Sequence, residues 1–146
     1  MSGEENKALT RRFRLEVFSQ GNIAAIDEIC DANWTYHDPS DPQGNWPRGP
    51  QGMRQVVNLY RSAFPDLHFT IEDEVAEGDK VVTRWTMRGT NKGELMGIPP
   101  TGRQATVTGI TINRMANGKI VEDWANFDAL GMMQQLGVVP APGQAS

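Results

Sequence analysis

One acidic residue of this chain lies where a strand is predicted to meet a helix. Residues 118–137 read GKIVEDWANFDALGMMQQLG, which predicts a short strand followed at once by a helix, with Asp128 at the junction. A carboxylate in an apolar pocket has a raised pKa and can act as a general base. Aspartate is also among the best residues for capping the N-terminus of a helix. From the residues alone both roles are open for Asp128, and the cap is favoured.

The two histidines and the single cysteine differ in their chemical promise. His37 ends the strand-favouring stretch WTYHD and precedes a loop rich in Pro and Gly, where it could contact a ligand or bond to the loop backbone. His68 alternates with polar residues in a predicted strand, so we expect it to face solvent. Cys30 falls at helical spacing among apolar residues and is interpreted as a core residue. The histidines and carboxylates lack metal-ligand spacing, so we expect no metal site.

The elements that must position these residues change type once along the chain. In the first part, Leu9, Phe13 and Val17 predict one helix and GMRQVVNLYRSAF predicts another, with a short helix between them. From Leu67 onward the apolar period is two, which predicts strands. The Asn-Gly pair at 117–118 is a strong hairpin signal. Helices followed by an antiparallel meander and a terminal helix make an α+β domain.

Strand alternation predicts which side chains share a face. In the strand that follows Leu67, it places Asp73 on the apolar face, where we expect it to anchor the AEGDK turn. In the last strand, alternation puts five residues on one face: Ile120, Glu122, Trp124, Asn126 and Asp128. We therefore expect Trp124 to form a pocket wall beside Asp128, and Glu122, nearer the turn, to make a strand-pairing or salt-bridge contact.

Composition and charge limit the class of protein. The chain has 146 residues, 38% of them hydrophobic, which suits one domain with a single core. Its formal net charge is −4 and its Lys and Arg residues form no stripe, so we expect no nucleic-acid partner. We expect no membrane partner either, because no stretch approaches the roughly 20 apolar residues that span a bilayer. The polar start MSGEENKALTRRF favours a cytoplasmic location.

Four motifs in order carry a resemblance to a known family. They are AFPDLHF, AEGDKVVTRW, GIPPTGR and the run GKIVEDWANFD followed by LG and QQLG. Together they resemble the SnoaL-like polyketide cyclases, also called ester cyclases, over residues 8–139. The resemblance implies a single domain over residues 1–146, with an ordered core at about 5–139. It also implies the cone of nuclear transport factor and ketosteroid isomerase, in which a curved antiparallel sheet wraps around helices and encloses a deep apolar pocket.

The resemblance further implies a chemistry. Such cyclases close a ring by intramolecular aldol condensation on a polyketide ester without metal or organic cofactor, and the family's acid/base aspartate corresponds to Asp128 by its place after the E-x-W motif. His37 matches the region of the family's pocket histidine. Many relatives read GTH-x-G where this chain reads GTNKG, so Asn91 replaces a histidine. An amide donates a hydrogen bond but cannot shuttle a proton, which reduces the acid–base capacity there.

The expected ligand is a small hydrophobic or aromatic molecule. Nine side chains are candidates to contact it: Trp124, Asn126, Asn91, Asn113, Trp85, Tyr36, Trp46, Phe64 and Met96. The loop DPSDPQGNWPRGPQG is expected to cover the pocket mouth, with Trp46 as a lid. Two alternatives remain open: another small-molecule enzyme of the same fold, such as an epoxide hydrolase or isomerase, and a binding module without turnover. We also expect a homodimer or higher oligomer through the sheet face that carries Thr106, Thr108, Ile110 and Ile112.

Overall fold

The computed structural model describes residues 2–41, 44–140 and 143. Its helical elements are α1 (Gly3–Arg11), a π-helix (Arg12–Ser19), a 3₁₀ turn (Ile23–Ala25), α2 (Ile26–Ile29), α3 (Pro50–Ala63) and α4 (Ala129–Leu136). Its strands are β1 (Cys30–His37), β2 (His68–Glu77), β3 (Lys80–Thr90), β4 (Gln104–Ala116) and β5 (Lys119–Phe127). The strands form one sheet in the order β1-β5-β4-β3-β2. The predicted α+β class is confirmed.

The sheet is antiparallel except at one edge. The β2–β3, β3–β4 and β4–β5 pairs are antiparallel, whereas β1 runs parallel to β5. The predicted Asn-Gly hairpin joins β4 to β5, with φ of 55° at Asn117 and 77° at Gly118, both in the left-handed region that such a turn requires. β1 is thus added to the meander at its β5 edge, so β5 has a neighbouring strand on each side. No helix among the described residues is long and apolar enough to cross a membrane.

The first helix begins with a capping box and ends in a π-helix. The Ser2 hydroxyl accepts from the Glu5 amide (3.1 Å), and the Glu5 carboxylate accepts from the Ser2 amide (3.2 Å). From this start the buried face runs through both segments: Asn6, Thr10, Phe13, Arg14, Val17 and Phe18. The predicted stripe of apolar residues is therefore interrupted by a cation, Arg14.

A β-bulge in β5 decides which residues of the last strand face inward. Ile120 lies opposite Met115 and Glu122 lies opposite Arg114, so Val121 is an extra residue on the β5 side. Ile120 is fully buried, but after the bulge the inward face is carried by other residues, namely Asp123, Ala125 and Phe127. The prediction that Ile120, Glu122, Trp124, Asn126 and Asp128 share one face is wrong, because alternation does not continue across an extra residue.

A second bulge has the same effect in β2. Ile71 lies opposite Trp85 and Asp73 lies opposite Arg84, which leaves one extra residue between them. Asp73 consequently leaves the apolar face and pairs with Arg84 on the exposed side, at 3.2 Å. The predicted inward position of Asp73 is wrong for the same physical reason.

α4 continues the sheet where β5 ends. β5 reaches only as far as the pair between Phe127 and Gly109, so the next part of β4 has no strand on that side. The Gln135 side chain takes its place: it accepts from the Thr106 amide (2.7 Å) and donates to the Thr106 carbonyl (2.9 Å). The Asp128 amide donates to the Thr108 carbonyl (3.0 Å). These bonds satisfy backbone groups that would otherwise form an open sheet edge.

Candidate functional site

A cavity lies between the helical N-terminal segments and the inward face of the sheet. Its wall is mainly apolar and aromatic, with rings from Phe13, Phe18, Phe69, Trp85 and Phe127. Five polar side chains interrupt this wall: Arg14, Tyr36, Tyr60, Thr111 and Asp123. The empty volume of the cavity is about 610 Å³ counted out to its open mouth.

Asp123 is the carboxylate of this cavity. It is 1% exposed, and its two oxygens accept from different donors: the Trp34 indole N–H donates to Oδ2 (2.9 Å), and the Asn113 side-chain amide donates to Oδ1. Burial raises the pKa of Asp123 to about 6, although both hydrogen bonds and the charge of Arg14 favour the ionised form. A carboxyl group with this pKa can both accept and return a proton near neutral pH.

Three adjacent strands position the groups around Asp123. Tyr36 of β1 and Asn113 of β4 are its register partners on either side of β5, so the three side chains form a row across the sheet. Trp34, two residues before Tyr36 on β1, stacks on the tyrosine ring at 5.7 Å with 20° between the planes. Because β5 is flanked on both sides, donors reach the carboxylate from both directions and hold it in one orientation.

Arg14 is a buried cation inside a box of aromatic rings. It is 6% exposed, and its guanidinium carbon lies 4.7 Å from the ring centre of Phe69, 5.4 Å from Trp85, 5.5 Å from Phe13 and 5.6 Å from Phe18. Its side chain makes no hydrogen bond or ion pair with any residue that the structure describes. Burial lowers the pKa of Arg14 to about 10, opposed by the charge of Asp123, so the group stays protonated at neutral pH.

The remaining polar groups of the cavity are neutral hydroxyls. Burial raises the pKa of both Tyr36 and Tyr60, so each phenol keeps its proton. The Tyr36 hydroxyl lies 3.3 Å from the Asp38 carboxylate, to which it donates, and the Tyr60 ring meets Phe127 edge-on at 6.2 Å. Together with the guanidinium of Arg14, the Tyr60 hydroxyl can donate to carbonyl oxygens of a ligand.

Asp128 lies outside this cavity. Its side chain is exposed and accepts from the Gly131 amide at 2.9 Å, which makes it the N-cap of α4. With Asn126 it borders a shallow cleft on the opposite side of the sheet, beside Ile110 and Arg84. The structure therefore shows the cap and places Asp128 away from the groups that surround Asp123.

His37 and Trp124 also lie on the outer face of the sheet. The His37 ring stacks on Trp124 at 5.6 Å, and its Nε2 lies 2.7 Å from the Glu122 carboxylate. Glu122 also accepts from Arg114 at 3.0 Å. Burial would raise the pKa of Glu122, but these two hydrogen-bond donors outweigh it and leave the pKa below its usual value. Glu122 thus makes the predicted salt bridge, while His37, with its side chain 48% exposed, does not reach the cavity.

Other predicted ligand contacts prove to be structural. Asn91 is buried, donates to the carbonyls of Ala63 and Gly93, and accepts from the Thr101 amide (2.8 Å), so it ties the loop after β3 to the end of α3. Phe64 is fully buried in the core, and Met96 is 38% exposed on the loop after β3.

That the loop before α3 covers the pocket mouth stays a prediction. Trp46 is half-buried and packs against the core, while Pro42 and Gln43 of the same loop lie outside the described residues. Of the nine predicted contacts, Trp85 and Tyr36 line the cavity and Asn113 reaches it through Asp123.

Two central residues, Asp123 and Arg14, escaped the sequence analysis although each left a signal. Counting back by twos from Phe127 gives Ala125 and then Asp123, a carboxylate in an apolar alternating set. Arg14 lies three residues before Val17 on the buried helical face. In both cases a charged residue occupies a position where the strand or helix periodicity predicts an apolar one. Such a residue is a candidate for a functional role.

Comparisons with known proteins agree with this architecture. A family model described as SnoaL-like polyketide cyclase matches residues 8–136. Nogalonic acid methyl ester cyclase from Streptomyces nogalater is 28% identical over 126 residues, covering 84% of this chain and 91% of that protein. The structure of TsrD from Streptomyces laurentii superposes with a TM-score of 0.84 at 30% identity, covering 95% of this chain and 99% of that one. A structure from Acidithiobacillus ferrooxidans gives 0.82 at 35% identity, covering 94% and 99%. The predicted cone-shaped α+β fold is confirmed.

Proposed function

Since the chain belongs to the SnoaL-like polyketide cyclase family, we propose that it closes a ring in a hydrophobic carbonyl compound by intramolecular aldol chemistry, with Asp123 as the acid/base. The observation that carries this proposal is a carboxyl group that is buried in an aromatic cavity, held by two donors and raised to a pKa of about 6. The names of the matched relatives include methyl ester cyclases, which supports an ester of a polyketide as the substrate class.

The reaction can be written with Asp123 as its only proton carrier. The ionised carboxylate removes a proton from a methylene that lies between two carbonyl groups of the substrate. The resulting carbanion attacks the carbon of another carbonyl group elsewhere in the same molecule, forming a carbon–carbon bond and an alkoxide. The protonated Asp123 then returns its proton to the alkoxide oxygen, which becomes a hydroxyl group. No net proton is gained or lost, and a general acid/base of this kind contributes about 10²–10⁴ in rate.

The residues around Asp123 suit this role because they fix it without neutralising it. Trp34 and Asn113 donate hydrogen bonds but carry no proton that they can lose near neutral pH, so the proton moves only between Asp123 and the substrate. The phenol of Tyr60 is a neutral donor for a carbonyl oxygen on the same wall.

A pair of matched variants tests whether Asp123, or instead the helix-capping Asp128, is the acid/base. With a polyketide methyl ester as substrate, Asp123→Asn should reduce ring closure by at least about 10²-fold, because an amide cannot take the proton. Asp128→Asn, which keeps the cap, should retain activity. Thermal unfolding of both variants controls for loss of fold. If Asp128→Asn lost activity while Asp123→Asn kept it, the base would be Asp128 and the assignment to Asp123 would fail.

We also propose that two copies of the chain pair through the outer face of the sheet. Ile110 is 48% exposed and Val75 is 61% exposed on this face, and Ile112 and Trp124 lie near them. Covering such a patch with a second copy removes apolar surface from water. Light scattering at micromolar concentration should report a dimer or larger oligomer, and Ile110→Asp should shift it to a monomer. A monomeric unmodified protein would contradict this pairing.

A further inference from the structure

We propose that Arg14 is a binding site for a planar oxygen anion of the ligand, either a carboxylate or the enolate of a 1,3-dicarbonyl compound. This deepens the proposed function, because it names the chemical class of molecule that the same cavity accepts. It does not require turnover, so it can be tested by binding alone.

Arg14 carries an unpaired charge in an apolar cavity. Arg14 is 6% exposed, and its guanidinium has no hydrogen-bond acceptor or counter-ion among the described residues. A buried charge without a partner costs free energy, whereas a leucine or methionine would fill the same space without that cost. The cation is therefore not explained by packing.

The four aromatic rings hold the cation but leave its hydrogen-bond donors free. Phe13, Phe18, Phe69 and Trp85 lie within 5.6 Å of the guanidinium carbon, where the electron-rich ring faces attract a cation. Ring faces are not the acceptors that a guanidinium N–H group prefers. Since Arg14 also lines the cavity, those donors are available to a molecule inside it.

Asp123 does not use these donors. The two side chains interact through their charges across the cavity, but the structure gives no ion pair between them among the described residues. Both Asp123 oxygens already accept from Trp34 and Asn113. The N–H donors of the Arg14 guanidinium therefore remain free to bind a ligand in the cavity that Asp123 also lines.

The geometry of a guanidinium selects the kind of anion. Its planar, rigid fork of N–H groups matches two oxygens held in one plane, which it binds through two parallel hydrogen bonds. A carboxylate presents two such oxygens, and so does the enolate of a 1,3-dicarbonyl compound. The flanking rings of Phe69 and Trp85 favour a flat hydrophobic body attached to that anion.

Calorimetric titration with three probes tests the proposal: 2-naphthoate, its neutral methyl ester, and 2-acetylindane-1,3-dione as a stable enolate. We expect the unmodified protein to bind at least one of the two anions about 10- to 100-fold more tightly than the ester, which is the effect of hydrogen bonds to a charged group. Arg14→Met should remove this preference and leave binding of the ester unchanged. Arg14→Lys, which keeps the charge without the fork, should give an intermediate preference.

Control variants separate this result from nonspecific charge and from catalysis. Arg84→Met removes an exposed arginine on the outer face and should leave the preference intact. Asp123→Asn should also retain it; if that variant kept full ring closure while the anion preference still depended on Arg14, only the proposed function would be overturned. If only the enolate or only the carboxylate depends on Arg14, the ligand class is narrowed to that anion.

Equal affinity of the unmodified protein for the ester and both anions would overturn the proposal. So would an equal loss of ester and anion binding in Arg14→Met. If Arg14→Met fails to fold, the comparison of the probes on the unmodified protein and on Arg14→Lys decides the question in the same way.

Discussion

Titration of Asp123 should make the folded protein less stable as the pH rises. Burial raises the pKa of this carboxyl from 3.8 to about 6, against the hydrogen bonds from Trp34 and Asn113 that lower it. Between these two values the folded protein holds a proton that the unfolded chain has already lost. The stability contributed by the group is complete below pH 3.8 and is lost as the pH rises through about 6.

The size of the loss follows from the difference in pKa. A gap of about two units, at about 1.4 kcal/mol per unit, corresponds to about 3 kcal/mol of unfolding free energy. This is a large part of the total stability of a typical domain, which is about 5–15 kcal/mol. The effect should therefore be measurable by chemical denaturation.

Asp123→Asn is the perturbation that isolates this titration. The new amide would place its N–H₂ group near the N–H₂ group of Asn113. Asn113 can rotate its amide so that its oxygen, which has no hydrogen-bond partner among the described residues, accepts from the new side chain. Urea denaturation of both proteins from about pH 3 to about pH 8 gives two stability curves, and their difference reports Asp123 alone. Subtraction is needed because Glu122 and Asp66 have lowered pKa values and affect both proteins alike, in the opposite direction.

The expected result is a difference curve that moves by about 3 kcal/mol in favour of the variant as the pH rises, with most of the change between pH 3.8 and about pH 6. Two parallel stability curves would refute the reasoning, because they would mean that Asp123 titrates alike in the folded and unfolded chain. A difference curve that moved in favour of the unmodified protein would mean that its donors and Arg14 outweigh burial.

Three further variants probe the site and the cap. Trp34→Phe keeps the aromatic packing but removes one donor to the ionised Asp123, so the acid limb of the pH–rate profile should move to higher pH. In Gly109→Ala the added methyl group would come 2.3 Å from the Trp85 indole, so we expect about 1–3 kcal/mol of destabilisation by thermal unfolding and weaker binding of aromatic probes. Asp128→Ala should lower stability by about 0.5–2 kcal/mol through loss of the cap, whereas Asp128→Asn should change it little; equal stability of the two variants would contradict the cap.

Periodicity predicted the elements well because it depends on local geometry. The change from helical spacing to alternation at Leu67 marks the start of β2 within one residue. The Asn-Gly pair at 117–118 forms the expected turn because its backbone tolerates positive φ without help from the rest of the fold. These features need only a few consecutive residues, so the sequence displays them directly.

The faces of the strands were harder to predict, because they depend on contacts between distant residues. The bulge at Val121 arises from the way β5 pairs with β4, and nothing in the stretch KIVEDW announces it. One extra residue was enough to exchange Asp123 for Glu122 on the inward face. Asn91 shows the same limit: in this fold its amide bonds the loop backbone, a role that depends on Ala63 and Thr101 being nearby.

The bulge at Val121 also means that the pairing of β5 with β4, rather than residue identity, determines which acid lies in this cavity. Glu122 and Asp123 are adjacent carboxylates, and the extra residue between Ile120 and Glu122 leaves Glu122 on the outer face and Asp123 desolvated on the inner one. If Val121 paired regularly with Arg114, without the bulge, alternation would turn Glu122 inward on a longer side chain, together with Trp124 in place of Ala125. A shift of one residue in the pairing of this strand can thus replace the proton carrier and shrink the cavity in one step.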